Sequence, residues 1–178
     1  MSQLKVNSIV PTSGLSSGTG GGIIQVKQSV QTQPQTATSG NFHASGGNNF
    51  SAFADIPGIS VDITPSSSDS KMLVSYNLYL GGNSIVTYLR LLRDSTGLAI
   101  PSGVTNGSTG VNFIENNGNG FFVMNCFQFL DSPNTTNSVT YKVQWAGNTT
   151  TTLYLNRYPG SSDSYIGSSS ITVMEVSG

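Results

Sequence analysis

From Ile59 onward, apolar residues recur at every second position in short stretches, and clusters of Gly, Asn, Ser and Pro separate the stretches. A period of two puts alternate side chains on opposite faces of an extended chain, so each stretch predicts a strand and each cluster a turn. Ile59, Val61 and Ile63 alternate with Ser60, Asp62 and Thr64, and Pro65 to Ser70 supplies a turn. Further strands are predicted over 71–80, 85–94, 111–115, 121–130, 138–145, 151–157 and 169–176, and no segment keeps the i, i+3, i+4, i+7 spacing of a helix. About eight short strands of this kind predict an all-β antiparallel sandwich or jelly roll.

The strands are of two kinds. Val139, Tyr141, Val143 and Trp145 alternate with Thr140, Lys142 and Gln144, as expected of a sheet with one face in water, and Leu153 and Leu155 behave alike. By contrast, Met72-Leu73-Val74, Tyr88-Leu89-Arg90-Leu91-Leu92 and Phe121-Phe122-Val123-Met124 are apolar at both parities, which predicts burial of both faces. A two-layer sandwich covers one face of each sheet, so the second needs another partner. Without helices to provide it, the candidate is another copy of the chain around a symmetry axis, with Met72, Leu89, Leu91 and Phe122 near that axis and Arg90 finding its partner there. The alternative is an N-terminal arm folded back over the sheet.

That arm is residues 1–30, and the head is residues 31–178. Leu4 to Val10 is a short strand-like run, Pro11 to Gly22 a Pro/Ser/Gly-rich joint, and Ile23 to Val30 alternates again, with Ile24, Val26 and Val30 on one side. Neither short strand buries its apolar side alone, so the arm is expected to pair with the head or with other chains. Leu4, Val6, Ile9 and Val10 are its candidate pairing residues. Gln31 to Asn49 reads as a polar loop.

Composition narrows the functions. Only 8% of the 178 residues are charged, 36% are hydrophobic and the net charge is −1; a disordered chain would combine weak hydrophobicity with high net charge. Seven scattered Lys and Arg residues argue against nucleic acid, whose phosphates are held mainly by such groups. No run approaches the roughly 20 apolar residues of a membrane span, and the N-terminus lacks the basic and apolar regions of a signal peptide, so synthesis in a cytoplasm is expected. Cys126 is the single cysteine, which removes intrachain disulfides and multi-cysteine zinc sites, and its apolar surroundings suggest a small buried hydrophobe.

Candidate chemistry is sparse. His43 is the only histidine and sits in a Gly/Ser/Asn loop, so a Ser-His-Asp or metal constellation would have to pass through an unfixed residue. The carboxylates of Asp55, Asp62, Asp69, Asp94, Asp131, Asp163 and Glu175 fall mostly at strand ends or turns, where Asp bonds nearby backbone. Glu115 lies in a turn-rich stretch, and no hydrolytic pair stands out. Gly18 to Gly22 lacks the Lys and the following helix of a phosphate loop. The Ser-Ser-Asp-Ser turns at Asp69 and Asp163 lack the carboxylate density of a calcium loop. Arg90 and Arg93, three apart, face opposite ways on a strand, and Arg93 with Asp94 reads as a rim pair. The sequence thus predicts a non-enzyme with no metal and no cofactor.

The ordered set of segments resembles a known group. Met1 to Ile9 with Pro11-Thr12-Ser13-Gly14, then Ile24 to Gln28, Val61 to Lys71, Leu130 to Pro133, Thr140 to Gln144 and Ser169 to Val176, is similar, in that order, to small trimeric fibre and virion structural proteins of tailed bacteriophages, particularly of aquatic hosts. The resemblance implies a homotrimeric virion component. Its N-terminal part attaches to other particle proteins, and its exposed β-rich head is similar to the tumour necrosis factor jelly roll. The stretch between Ile100 and Gly120 has no counterpart.

Two functions then compete: a tail fibre or fibre tip touching the host surface, and a decoration or cement protein of the capsid or tail. A bacterial lectin is a weaker third. Polar loops at Asn106 to Asn119 and Tyr158 to Tyr165 suit a host surface glycan by composition, though no receptor residue is singled out. A compact anchor joined flexibly to a larger head favours the fibre.

Overall fold

The computed structural model describes residues 22–42, 50–83, 86–100, 112–115, 120–160 and 166–178. These form two antiparallel sheets packed into a sandwich, with no α-helix among the described residues. The first sheet contains β1 (Ile23–Gln31), β2 (Gln35–Ser39), β4 (Lys71–Gly82), β8 (Phe121–Asp131), β10 (Thr151–Leu155) and β11 (Ser169–Val176). The second contains β3 (Ala54–Ile63), β5 (Val86–Arg93), β6 (Thr96–Leu98), β7 (Asn112–Glu115) and β9 (Val139–Gly147).

β4 is the spine of the first sheet. One of its edges is paired with β8 from Met72 to Gly82. Its other edge is shared end to end, by β11 from Lys71 to Asn77 and by β10 from Leu80 to Gly82. β1 extends the sheet beyond β11, and β2 extends it beyond β10. In the second sheet β9 lies between β3 and β5, and β6 and β7 share the far edge of β5.

The core follows from parity. Met72, Val74, Tyr76, Leu78 and Leu80 of β4 meet Leu89 and Leu91 of β5 and Val139, Tyr141, Val143 and Trp145 of β9, all buried in one cluster with Ile171 and Val173. Burying side chains of this size contributes roughly 1.5–3 kcal/mol each. Two elements escape the sequence pattern: β2 lies inside the expected polar loop, and β6 forms a hairpin with β5 through Asp94, whose φ is 54°.

At the seam between β10 and β11 the ladder on β4 is interrupted at Tyr79. Side chains and turn backbone complete it: Ser169 Oγ accepts from Tyr79 N at 2.9 Å, and Asn156 N donates to Tyr79 O at 2.8 Å. The fully buried Asn156 side chain donates to Gln31 O at 2.7 Å and Gln33 O at 3.3 Å, and accepts from Ser169 Oγ at 2.6 Å. Two residues beyond Tyr79, a Cβ on Gly81 would stand 2.2 Å from Arg157 O. Gly81→Ala is therefore expected to cost about 1–3 kcal/mol, as overpacking does, read as a lower urea midpoint at unchanged slope.

Candidate functional site

The expected trimer-axis residues do not share a surface. Met72, Leu89 and Leu91 have no solvent exposure and lie inside the sandwich of a single chain, so they are core residues and not an interface. Alternation cannot say which parity of a doubly apolar strand faces the partner sheet. The other parity is the informative one, and its meaning differs between the sheets.

On the second sheet the chain covers itself. The segment after β2 crosses the outer face, where Phe42, Ala52 and Phe53 pack on Tyr88 and Ala146. Arg90 lies on that face with its guanidinium 4.4 Å from the Phe53 ring centre, and its Nε donates to Gln144 Oε1 at 2.7 Å. Gln144 in turn reaches Asp55, which also pairs with Lys142 at 3.0 Å. Burial pulls the Arg90 pKa down against the opposing charge of Asp55. Arg90 thus has intrachain partners, and the cover for β5 comes from Phe42, in the region expected to be a polar loop, and from Ala52 and Phe53 just beyond it.

On the first sheet the outer face stays open. Registers align its residues in rows across four strands: Val26, Met174, Leu73 and Leu130 form one row, and Gln28, Thr172, Ser75 and Gln128 the next. Val30, Ser170, Asn77 and Cys126 form a third, followed by Tyr79 beside Met124. Val26 is 51% exposed, Leu130 54% and Met124 56%. Phe122 is half-buried on the same face and stacks on Tyr79 at 5.6 Å. Lys71, at the end of the block, is its one charged residue. Four strands of eight to twelve residues amount to on the order of 600 Å², close to the ~800 Å² each partner gives a standard interface.

Cys126 is exposed on this face rather than buried, because its parity on β8 points outward. Arg93 does not pair with Asp94. Its Nη1 bonds Asp131 Oδ2 at 2.6 Å, and Tyr141 Oη donates to the same oxygen at 2.7 Å, tying the end of β8 to the second sheet. Burial alone would lower the Arg93 pKa, but the bond to Asp131 and its charge raise it. Burial and then Asp131 push Tyr141 upward. Asp94 Oδ1 instead accepts from Thr140 N at 2.9 Å.

Ile23 to Val30, the second strand of the expected arm, are β1 and pair with β11 along the head sheet, one of the two kinds of pairing expected of that arm. Leu4, Val6, Ile9 and Val10 lie outside the described residues, as do His43, Asp163 and most of the two polar loops. Among the described residues no three His, Cys, Asp or Glu side chains converge to hold a metal. No protein-family model matches the chain, and no curated protein is significantly similar to it in sequence.

Proposed function

We propose that this chain is a non-enzymatic structural protein of a tailed-bacteriophage particle, working as a homotrimer. Its N-terminal segment anchors to other virion proteins, and its β-sandwich head points outward as a tail fibre or fibre tip contributing to attachment at the host surface. The observation that carries the reading is the open outer face of the first sheet: rows of apolar and neutral hydrogen-bonding side chains, close to interface size and nearly free of charge. Copies of the chain meet there without like-charge repulsion, and a wide exposed apolar patch on a lone β-domain is a liability unless covered. The ordered resemblance to fibre proteins supports the particle and the tail.

Light scattering at micromolar concentration is expected to give a trimer. Leu73→Glu with Leu130→Glu puts two charges on each copy in the middle of the apolar row, and is expected to give folded monomer with an unchanged far-ultraviolet spectrum. A monomeric native protein would sink the assembly reading. Imaging of particles then separates fibre from cement: density at the tail supports the fibre, whereas density confined to capsid lattice axes assigns the chain to decoration.

A further inference from the structure

We propose that the edge of β8 turned away from β4, which no described strand covers, receives Leu4 to Val10 of a neighbouring copy as an additional strand, joining the copies head to tail by strand exchange. The inference rests on the homotrimeric reading above, specifies how its members are linked, and gives Leu4 to Val10 to that linkage, leaving the anchoring to other virion proteins to the rest of the assembled arm.

The other sheet edges of the described residues are each protected. An unpaired edge invites another strand, and folded proteins blunt it with charge, proline, bulges or short length. β1 carries Lys27 and a register irregularity between Ile23 and Gln25, and its flank is closed against β3 by Ser29 Oγ donating to Gly58 O at 2.8 Å. β2 has five residues and follows Pro34. β3 is interrupted by an irregularity between Asp55 and Ser60 that contains Pro57 and Gly58. β6 and β7 have three and four residues.

β8 has none of these devices. It runs eleven residues in unbroken register with β4, holds no proline and no charge before Asp131, and pairs with no other strand among the described residues. Burial along its core-facing parity is also uneven, with Phe121, Asn125 and Asp131 buried and the rest less so. Phe127 and Phe129 point toward the core yet are only half-buried, and Val123 on the same parity is 38% exposed. A further strand with one apolar parity would finish this edge.

Leu4 to Val10 is such a strand by sequence, with Leu4, Val6 and Val10 on one parity and Lys5, Asn7 and Ile9 on the other. It connects to β1, three strand spacings or roughly 15 Å from β8. The residues between Val10 and Ile23 can span up to about 40 Å, enough for a neighbouring copy. Handing the strand onward makes a heterologous contact, and such contacts close into a ring in a trimer.

Cys126, as the single cysteine, supplies the test. With Leu4, Val6 and Val10 turned inward over Phe127 and Phe129, the opposite parity shares the face of Cys126. Single variants Lys5→Cys, Asn7→Cys and Ile9→Cys, and as controls Leu4→Cys, Val6→Cys and Val10→Cys, would be oxidised as full-length assembled protein and run without reductant. At least one of the first three is expected to give chains linked as dimers or larger, with none from the controls and none in a Cys126→Ser background. Links formed within single chains would overturn the exchange. Trimers by light scattering with no link in any variant would overturn the β8 assignment while leaving the oligomer standing. Monomers by light scattering would remove the oligomer reading and this inference with it.

Discussion

Asn156→Ala is expected to lower the stability of the head by about 3 kcal/mol, a drop of roughly 10 °C in Tm for a chain of this size. Two losses add. The side chain holds Ser169 Oγ and the carbonyls of Gln31 and Gln33, and Ser169 is itself fully buried, so the hydroxyl loses its acceptor with no water to replace it. The backbone has φ 61°, a left-handed conformation that Asn tolerates and Ala resists by roughly 1–2 kcal/mol. Asn156→Gly separates the two, because it removes the same bonds without the backbone penalty. Glycine is therefore expected to be less harmful than alanine in urea unfolding. An alanine variant as stable as the native protein would mean that the seam between β10 and β11 does not depend on this residue.

Glu175→Gln is expected to cost about 2–3 kcal/mol at pH 7 and almost nothing near pH 2. Glu175 is fully buried at the end of β11, where its carboxylate accepts from Ser66 N at 2.7 Å, Ser66 Oγ at 2.5 Å and Gln25 Nε2 at 2.5 Å. Burial by itself raises the carboxyl pKa, but these bonds outweigh it and bring the group from an ordinary 4.5 down to about 2. Because the folded value lies below the unfolded one, the stabilisation is complete above about pH 4.5 and disappears as the pH falls toward 2. Urea midpoints measured across that window should converge for the two proteins. A gap that stays constant with pH would show that the charge of Glu175 is not what the site uses.

Strand assignment was most legible where one face meets water and the other the core. On β9, Thr140, Lys142 and Gln144 face outward as their polarity requires, and Val139, Tyr141, Val143 and Trp145 are buried. β2 was not legible, because Gln35-Thr36-Ala37-Thr38-Ser39 has only Ala37 to signal an apolar side. Its alternating threonines, good strand formers, were the available hint. β6 was hidden by its length of three residues.

The candidate surface was half legible. Apolar residues at both parities mark β5, which the chain covers on both faces, and also β4 and β8, whose outer face the chain leaves open, and parity carries no label for inside or outside. Met72, Leu89 and Leu91 therefore belong to the core, and Leu73, Met124 and Leu130 to the open face. On β5 the second cover is Phe42, within the expected polar loop, and Phe53, just beyond it, a long-range contact that no local pattern around either residue encodes. Asn156 and Glu175 gave still less warning. Each reads as a polar residue at a strand end, and only the packing around it makes it a hub.

The pairing of β1 with β11 sets an order of events during synthesis. β1 is made before the other described strands and its partner after them, and β11 is also the strip that joins β1 to β4. Before β11 is made, Val26 and Val30 lack their partner strand, and the inner row of β4 lacks Ile171 and Val173. Completion of the first sheet therefore waits until translation has delivered Ser169 to Val176, and the nascent chain carries unmatched apolar strands until then.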